Sequence, residues 1–235
     1  MRGWHDTRLE TPAFSGQINP MTGYAFTLGG AHLVALPSGA LYWPDKGLLA
    51  VSDLHFGKSE RLARRGGALL PPYETRATLA RLATDLNAMN ALHVLCLGDS
   101  FDDLAAASAL AAADQHMLAQ LMENRRWSWL EGNHDPATPA VAGDHLTDLF
   151  LAPLAFRHIG GGGGYEISGH YHPKARLAGR SHRCFLIDSQ RVILPAYGAY
   201  TGGLWTHDPG LAGAMLPNAL AVLTGAKALA IPMPR

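Results

Sequence analysis

The chain has 235 residues, of which 48% are hydrophobic and 16% are charged, a composition that predicts a globular protein with one substantial core. Its 19 basic and 19 acidic side chains cancel, so net charge gives no sign of a nucleic-acid or membrane surface. With only two cysteines, Cys96 and Cys184, a disulfide framework is excluded, and the apolar run around Cys96 predicts a buried reduced thiol.

The start of the chain is polar and punctuated by glycine and proline. We predict an irregular lead-in over residues 1–25 and a single domain over residues 26–235. The first residues lack the apolar core of a signal peptide, and no stretch approaches the ~18 to 20 apolar residues that a membrane span requires. We therefore expect a cytoplasmic protein with no membrane partner.

The predicted elements alternate between strands and helices. Regular structure is expected to begin near His32, with strands at 32–36 and 40–43 joined by a tight turn and a strand covered on both faces at 48–51. We then predict a buried strand at 94–97, a long alanine-rich helix at about 104–124 and a strand at 127–130. An apolar stripe with helical spacing lies between the strands at 48–51 and 94–97 and is formed by Leu79, Leu82, Ala83, Leu86 and Met89.

Short strands predicted at 165–168, 184–187 and 192–194 indicate a second sheet, and a further strand is plausible at 154–157. The β-α-β-α-β order of the preceding elements favours an α/β fold. The five consecutive glycines at 160–164 are interpreted as a flexible connection or lid. A phosphate-cradling loop would be followed by Gly-Lys-Ser/Thr and a helix, and neither occurs here.

Four polar motifs each follow a predicted buried strand. Because ligands bind beyond the carboxyl ends of the strands in open α/β sheets, the four motifs predict a single pocket. In the Asp-x-His and His-x-His pairs, residues i and i+2 face alike as long as the chain is extended. In chain order the motifs are Asp53-Leu54-His55, Gly98-Asp99-Ser100-Phe101-Asp102, Gly132-Asn133-His134-Asp135 and Gly169-His170-Tyr171-His172.

The motifs supply carboxylate, imidazole and amide oxygen donors. Such a mixed set suits octahedral, borderline-hard ions such as Mn²⁺ or Fe, with Zn²⁺ possible, better than a closed structural zinc site made of thiolates. The sequence therefore predicts a site for divalent metal ions at this edge of the sheet.

Taken together and in this order, the four motifs resemble the signature of the calcineurin-like metallophosphoesterases. The resemblance spans roughly residues 33–222 and implies a four-layer α/β/β/α sandwich, with two mixed sheets back to back and two divalent metal ions above the strand ends. It implies a bridging hydroxide that attacks a phosphodiester in line with the leaving alkoxide. It also implies that Asp53, His55 and His172 hold one metal, that Asn133 and His170 hold the other, and that Asp99 bridges both.

The resemblance assigns two catalytic residues and one further ligand. His134 matches the general acid that faces the leaving group, and Asp102 matches the partner that fixes its tautomer. One more histidine is expected on the second metal, and His158 and His145 both qualify. We favour His158, because it follows a plausible strand, whereas the stretch around His145 could begin a helix.

Several stretches are similar to a narrower group, the DNA-ligase-associated metallophosphoesterases, named as DNA damage response endonucleases. These stretches are residues 38–44, 53–58, 64–66, 169–173 and 198–204. Membership of that group implies a DNA substrate and functional association with an ATP-dependent DNA ligase, a nuclease and a helicase in repair.

Basic residues offer modest support for DNA. Lys58, Arg61, Arg64 and Arg65 lie on a short helical stretch after the first motif and could meet phosphates near the scissile bond, or could form an ordinary solvated face. Lys174, Arg176, Arg180 and Arg183 follow the last motif with the same ambiguity. The sequence shows no aromatic stacking array interleaved with basic residues, so sequence-specific readout is not predicted.

Two other functions fit the same motifs. The substrate could be a small nucleotide, cleaved by a phosphodiesterase or phosphatase, which the neutral net charge mildly favours. Alternatively, the chain could be a non-catalytic, metal-stabilised scaffold subunit of a repair complex. The presence of His134 and Asp102 speaks against a scaffold, since a structural metal site needs no leaving-group acid.

Overall fold

Two mixed β-sheets lie back to back in the computed structural model, which describes residues 23–67, 69–136 and 141–235. The first sheet has the order β1-β2-β3-β4-β5-β6-β7, antiparallel from β1 to β4 and parallel from β4 to β7. Its strands are β1 (Tyr24–Leu28), β2 (Ala31–Ala35), β3 (Leu41–Trp43), β4 (Leu48–Val51), β5 (His93–Leu97), β6 (Arg126–Leu130) and β7 (Asp144–Leu146).

The second sheet is also mixed and has the order β15-β14-β12-β13-β10-β9-β8, with β11 paired to β12 off this path. Within it, β10 runs parallel to both β9 and β13, while the other pairs are antiparallel. The strands are β8 (Leu149–Leu151), β9 (Leu154–Phe156), β10 (Tyr165–Ser168), β11 (Lys174–Leu177), β12 (Arg180–Ile187), β13 (Arg191–Ile193), β14 (Leu220–Leu223) and β15 (Leu229–Pro232).

Helices cover the outer face of each sheet. Leu79, Leu82 and Leu86 of the predicted stripe are fully buried against the first sheet, and Leu211 packs on the second. Between the sheets, side chains from both, such as Leu95 and Phe185, belong to one shared core. The helices are α1 (Lys58–Arg64), α2 (Glu74–Met89), α3 (Leu104–Ala109), α4 (Ala112–Met122) and α5 (Pro209–Ala214), with a 3₁₀ turn at Pro44–Lys46. The predicted α/β/β/α sandwich is therefore confirmed.

The long helix predicted at 104–124 is wrong, because it is broken into α3 and α4. Leu110 and Ala111 have extended dihedrals, with ψ of 138° and 139°. In this conformation Leu110 is buried in the core, and its carbonyl accepts a hydrogen bond from the side chain of Gln115 at 2.9 Å. Burial of one leucine thus overrides the helix preference of the alanines around it.

Regular structure begins at Tyr24, earlier than the start predicted near His32. Strand β1 pairs with β2 through a two-residue turn, Gly29-Gly30, and both glycines have positive φ, at 58° and 88°. Such a turn is a standard hairpin connection, so the signal was present in the sequence. Residues 24 and 25 of the predicted lead-in belong to this strand, and residues 1–22 lie outside the described residues.

Both cysteines are free and buried, as predicted for Cys96. Among the helices in the described ranges, none combines the length and the hydropathy needed to cross a membrane.

Candidate metal centre

The four predicted motifs meet at one edge of the sandwich. The loops after β4 and β5 remain bonded beyond the strands, since Asp53 donates its N–H to Gly98 at 3.2 Å and His55 to Asp99 at 3.0 Å. The loop after β10 comes from the other sheet and lies directly on the first loop. A Cβ on Gly169 would collide with the side chain of Ser52, so this close approach requires glycine.

A first group of donors consists of Asp53, His55 and His172, whose ligand atoms all lie within 4.8 Å of one another. Asp53 Oδ2 accepts hydrogen bonds from Ser52 Oγ at 2.6 Å and from the backbone N–H of His170 at 3.0 Å. Within the described residues, Asp53 Oδ1, His55 Nε2 and His172 Nε2 are buried without a hydrogen-bond partner. His172 Nε2 and Asp53 Oδ1 lie 3.1 Å apart, although their geometry makes no hydrogen bond. Three potential ligand atoms that converge in this way fit a divalent cation.

A second group consists of Asp99, His158 and His170, again within 4.8 Å. His158 Nδ1 bonds the carbonyl oxygen of Leu97 at 2.8 Å, and since a carbonyl only accepts, Nδ1 carries the hydrogen. In the neutral ring, Nε2 then presents a lone pair, as in a metal-ligating histidine held by a backbone carbonyl. Nε2 lies 3.0 Å from Asn133 Oδ1, 3.2 Å from His170 Nδ1 and 3.5 Å from Asp99 Oδ2.

The two candidates for the last ligand are separated by the structure. His158 is buried beside Asp99, as described above. His145 lies in β7 at the end of the first sheet, and its Nε2 bonds the carbonyl of Val141 at 2.8 Å. In the described ranges, only His158 of these two belongs to a group of potential metal ligands.

Asp102 lies beside the first donor group, but its carboxylate has partners other than the one predicted. Asp102 Oδ1 accepts from His55 Nδ1 at 2.8 Å, and Oδ2 accepts from Arg61 Nε. His134 instead bonds the backbone carbonyl of Asp102, with Nδ1 at 2.9 Å from the oxygen. The carboxylate therefore orients a histidine of the first donor group, whereas the tautomer of His134 is fixed by the main chain.

Left-handed backbone conformations are concentrated at this site. Nine non-glycine residues in the described ranges have positive φ, and five of them are predicted ligands. A non-glycine residue in this region is uncommon and costs about 1–3 kcal/mol. We expected the two ligands of each pair to face alike because the chain would be extended. It is not extended here; the chain leaves the strand and turns these side chains inward. The five are Asp53, His55, Asp99, His170 and His172.

The carboxyl groups of the site are held ionised. Burial alone would raise the pKa of Asp99, but the hydrogen bond and charge of His158 outweigh it and lower the pKa to about 2. The pKa of Asp53 is likewise lowered by His172 in spite of burial. Burial would lower the pKa of His158, yet Asp99 and Asp53 raise it. A cation can replace the proton that this negative cluster attracts.

The basic residues of α1, and Arg65 just after it, are mostly neutralised by neighbouring carboxylates. Arg61 pairs with Asp102, while Arg64 bonds Asp103 at 2.8 Å and Arg65 approaches it at 3.4 Å. Lys58 Nζ lies 3.8 Å from Asp102. The predicted phosphate-binding residues are thus beside the donor groups, but in this structure their charges face acidic side chains of the protein itself.

Asp135 is a site residue that the motifs contained but sequence reasoning left without a role. Its buried carboxylate accepts four backbone N–H groups, from Asp99 at 3.0 Å, Ser100 at 2.8 Å, Phe101 at 3.1 Å and Gly132 at 3.1 Å. Burial and the charge of Asp99 raise its pKa to about 6, against the lowering effect of these N–H groups. One side chain therefore ties the loop that carries Asp99 to the loop that carries Asn133.

The five-glycine segment connects β9 to β10, as predicted. Its amides are already occupied, since Glu166 accepts N–H groups from Gly161 at 2.8 Å and Gly162 at 3.1 Å. The same carboxylate binds Arg157 at 2.7 Å. The loop therefore anchors the chain just after His158 and leaves these two amides unavailable to a phosphate.

Comparisons with known proteins agree with this geometry. The family model for the calcineurin-like phosphoesterases matches residues 47–209. The crystal structure of the nuclease MPE from Pseudomonas putida matches with a TM-score of 0.71 and 28% identity, covering 89% of this chain and 100% of that chain. No curated protein matches the chain. Because the family model spans well over half of the residues and includes the donor groups, the chain belongs to the calcineurin-like phosphoesterases and is a metal-dependent phosphoesterase.

Proposed function

We propose that the protein is a dinuclear-metal phosphodiesterase that cleaves DNA internally. The observation that carries the proposal is the pair of adjacent donor groups. Asp99 connects them, because its carboxylate lies beside His158 of its own group and its backbone carbonyl accepts the N–H of His55 of the other group. The similar structure of a nuclease from Pseudomonas putida supports a nucleic-acid substrate. The proposed ligands are Asp53, His55, Asp99, Asn133, His158, His170 and His172.

The donor set suits two divalent cations, and its mixture of carboxylate, imidazole and amide oxygen favours Mn²⁺. When bound, such a pair supplies a deprotonated water as nucleophile and offsets the negative charge of the phosphoryl oxygens. The chain's own contribution is to keep its ligands in place. Asp102 orients His55, Leu97 orients His158, and the N–H of His170 holds Asp53 Oδ2 so that Oδ1 points into the site.

His134 is the proposed general acid. Its Nδ1 hydrogen is held by the carbonyl of Asp102, which leaves Nε2 as the atom able to exchange a proton with substrate. Its ring lies edge-on to that of His55, with centroids 4.9 Å apart, so it is adjacent to the first donor group. Protonated at Nε2, it would give a proton to the departing oxygen and keep the second hydrogen on the backbone carbonyl.

The place of this reaction in DNA repair is the wider part of the proposal. The similarity to DNA-ligase-associated enzymes supports association with an ATP-dependent ligase, a nuclease and a helicase. Two buried free thiols are compatible with the cytoplasmic location predicted from the sequence.

The proposal is tested with purified protein, Mn²⁺ and circular single-stranded DNA. The wild type should linearise the circles, and Asp99→Asn should not, because the substitution removes the carboxylate that would be shared by the two ions. Asp114→Asn is the matched control, since Asp114 lies on α4 and pairs with Arg76. Equal activity in Asp99→Asn and wild type would contradict the proposal. Turnover of a small model diester, a monoester and cyclic nucleotides in the same assay separates DNA cleavage from small-nucleotide hydrolysis.

A further inference from the structure

A cluster of aromatic and basic side chains lies on β11 and the segment beside it. We call Lys174, Arg176, Trp205 and His207 the Trp205 cluster. Lys174 Nζ lies 4.6 Å and Arg176 Cζ 5.0 Å from the centroid of the Trp205 ring, within the range of cation–π attraction. The ring of His207 is nearly parallel to that of Trp205, at 8° and 6.2 Å between centroids.

The cluster borders a small open pocket. The pocket has a volume of about 230 Å³ and is lined by Arg176, Trp205, Thr206, His207 and Pro234. Pockets for whole small molecules typically begin at ~300 Å³. The volume and the planar walls therefore suit a single flat ring better than a complete small-molecule ligand.

The positive charges of the cluster are not neutralised by the protein. Within residues 23–67, 69–136 and 141–235, no acidic side chain forms an ion pair with Lys174 or Arg176. In contrast, the arginines of α1 and Arg65 just after it all face carboxylates. The cluster is therefore better able than α1 to bind phosphate groups from outside the protein.

The cluster is joined directly to the metal centre. Lys174 follows His172 by two residues, and Trp205 is bridged to Lys174 through the hydrogen bonds Lys174 N–H to Leu204 at 2.9 Å and Thr206 N–H to Lys174 at 3.1 Å. Two residues of chain and one strand spacing place the Cα of Trp205 within about 12 Å of that of His172. Gly203 makes this possible, because a Cβ there would collide with the carbonyl of His172.

We propose that the Trp205 cluster binds single-stranded DNA next to the scissile phosphate. One base enters the pocket and stacks among Trp205, His207 and the Arg176 guanidinium, while Lys174 and Arg176 contact the adjoining phosphates. Aromatic surfaces combined with unneutralised cations are the usual means of holding single strands without reading sequence. Duplex DNA keeps its bases stacked inside the helix and cannot fill the pocket. This inference rests on the proposed function.

The test compares two substrates in each variant. Trp205→Ala should lower the ratio of cleavage of a single-stranded oligonucleotide to hydrolysis of bis(p-nitrophenyl) phosphate by about 5- to 150-fold, the loss expected for one base stack. Trp205→Phe should restore part of that ratio. Binding of the oligonucleotide to the wild type in EDTA, followed by fluorescence anisotropy, provides a readout that does not depend on catalysis.

Charge is tested in the same binding assay. Lys174→Ala combined with Arg176→Ala should make the dependence of log Kd on log salt concentration shallower by about 1.4, the value for two contacts to a single strand. Lys46→Ala is the matched control, because Lys46 also lies over a tryptophan ring, at 5.8 Å from Trp43, but precedes β4 at the opposite end of the strand from the metal centre. Phe150→Ala, which removes an exposed aromatic ring from β8, controls for Trp205.

The outcomes separate the two proposals. If the wild type cleaves DNA and the Trp205 and Lys174/Arg176 variants keep their substrate ratio, affinity and salt dependence, the cluster is not a DNA site and the proposed function stands. If the wild type hydrolyses the model diester but neither binds nor cleaves DNA, the proposed function fails. A similar loss in Lys46→Ala or Phe150→Ala would also overturn the assignment to this cluster.

Discussion

The buried carboxylate of Asp135 offers the sharpest test of how the metal centre is held. In Asp135→Asn, one oxygen becomes an NH₂ group. Each oxygen accepts two backbone N–H groups, so two donors lose their acceptor whichever way the amide is oriented. Leaving a buried polar group unpaired costs about 1–3 kcal/mol, which gives a loss of about 2–6 kcal/mol. This is a large part of the ~5–15 kcal/mol typical of folded domains.

The loss is measured by urea unfolding in EDTA, followed by tryptophan fluorescence, and compared with wild type. Because Asp135 also joins the loops of Asp99 and Asn133, the affinity for Mn²⁺ measured by calorimetry should fall about 10- to 100-fold. Asp144→Asn makes the same chemical change at an exposed ion pair with Arg126 and should cost less than about 1 kcal/mol, with unchanged metal affinity. If the free energy of unfolding of Asp135→Asn lies within about 0.5 kcal/mol of the wild-type value, the range of ordinary surface substitutions, the tie between the loops is refuted.

Three further predictions follow from the same contacts. Arg61→Gln should weaken Mn²⁺ binding about 10-fold, because it loosens the carboxylate that orients a ligand, whereas Arg64→Gln should not; a change in DNA affinity alone would instead indicate a phosphate contact at Arg61. Burial would raise the pKa of Glu166, but its arginine and glycine partners outweigh burial and lower the pKa. The wild type should therefore keep its full advantage in free energy of unfolding over Glu166→Gln above pH ~4.3 and lose it as the pH falls further. Urea unfolding in EDTA measures this difference, and a difference that does not change with pH would contradict the contacts. His158→Ala should reduce the number of Mn²⁺ ions bound from two to one in calorimetry, and His145→Ala should leave both, with the reverse result favouring His145.

Much of the fold follows from local patterns. The apolar stripe from Leu79 to Leu86 predicts which face of α2 is buried, and the motifs predict the ligands because each follows a strand whose carboxyl end lies at the same edge. The Gly29-Gly30 turn would have located β1. The break at Leu110 is different, since it depends on how that side chain packs in the assembled core.

The contacts around the ligands could not be predicted in this way. Asp102 and Arg61 are 41 residues apart, and their pairing depends on how α1 docks beside the metal centre. The Trp205 cluster brings together residues from two separate segments, so no interleaved pattern exists along the sequence. Asp135 was visible in its motif, but four backbone donors from two loops become apparent only when the loops are assembled.

The central claim is that seven side chains hold two divalent cations. Anomalous diffraction from crystals grown with Mn²⁺ tests it most directly. We predict two peaks separated by roughly 3.5–4 Å, with Asp99 between them and His158 bound to one. One peak should lie among Asp53, His55 and His172, and the other among Asn133, His158 and His170. A single peak, or a second peak without His158 as a ligand, would contradict the account.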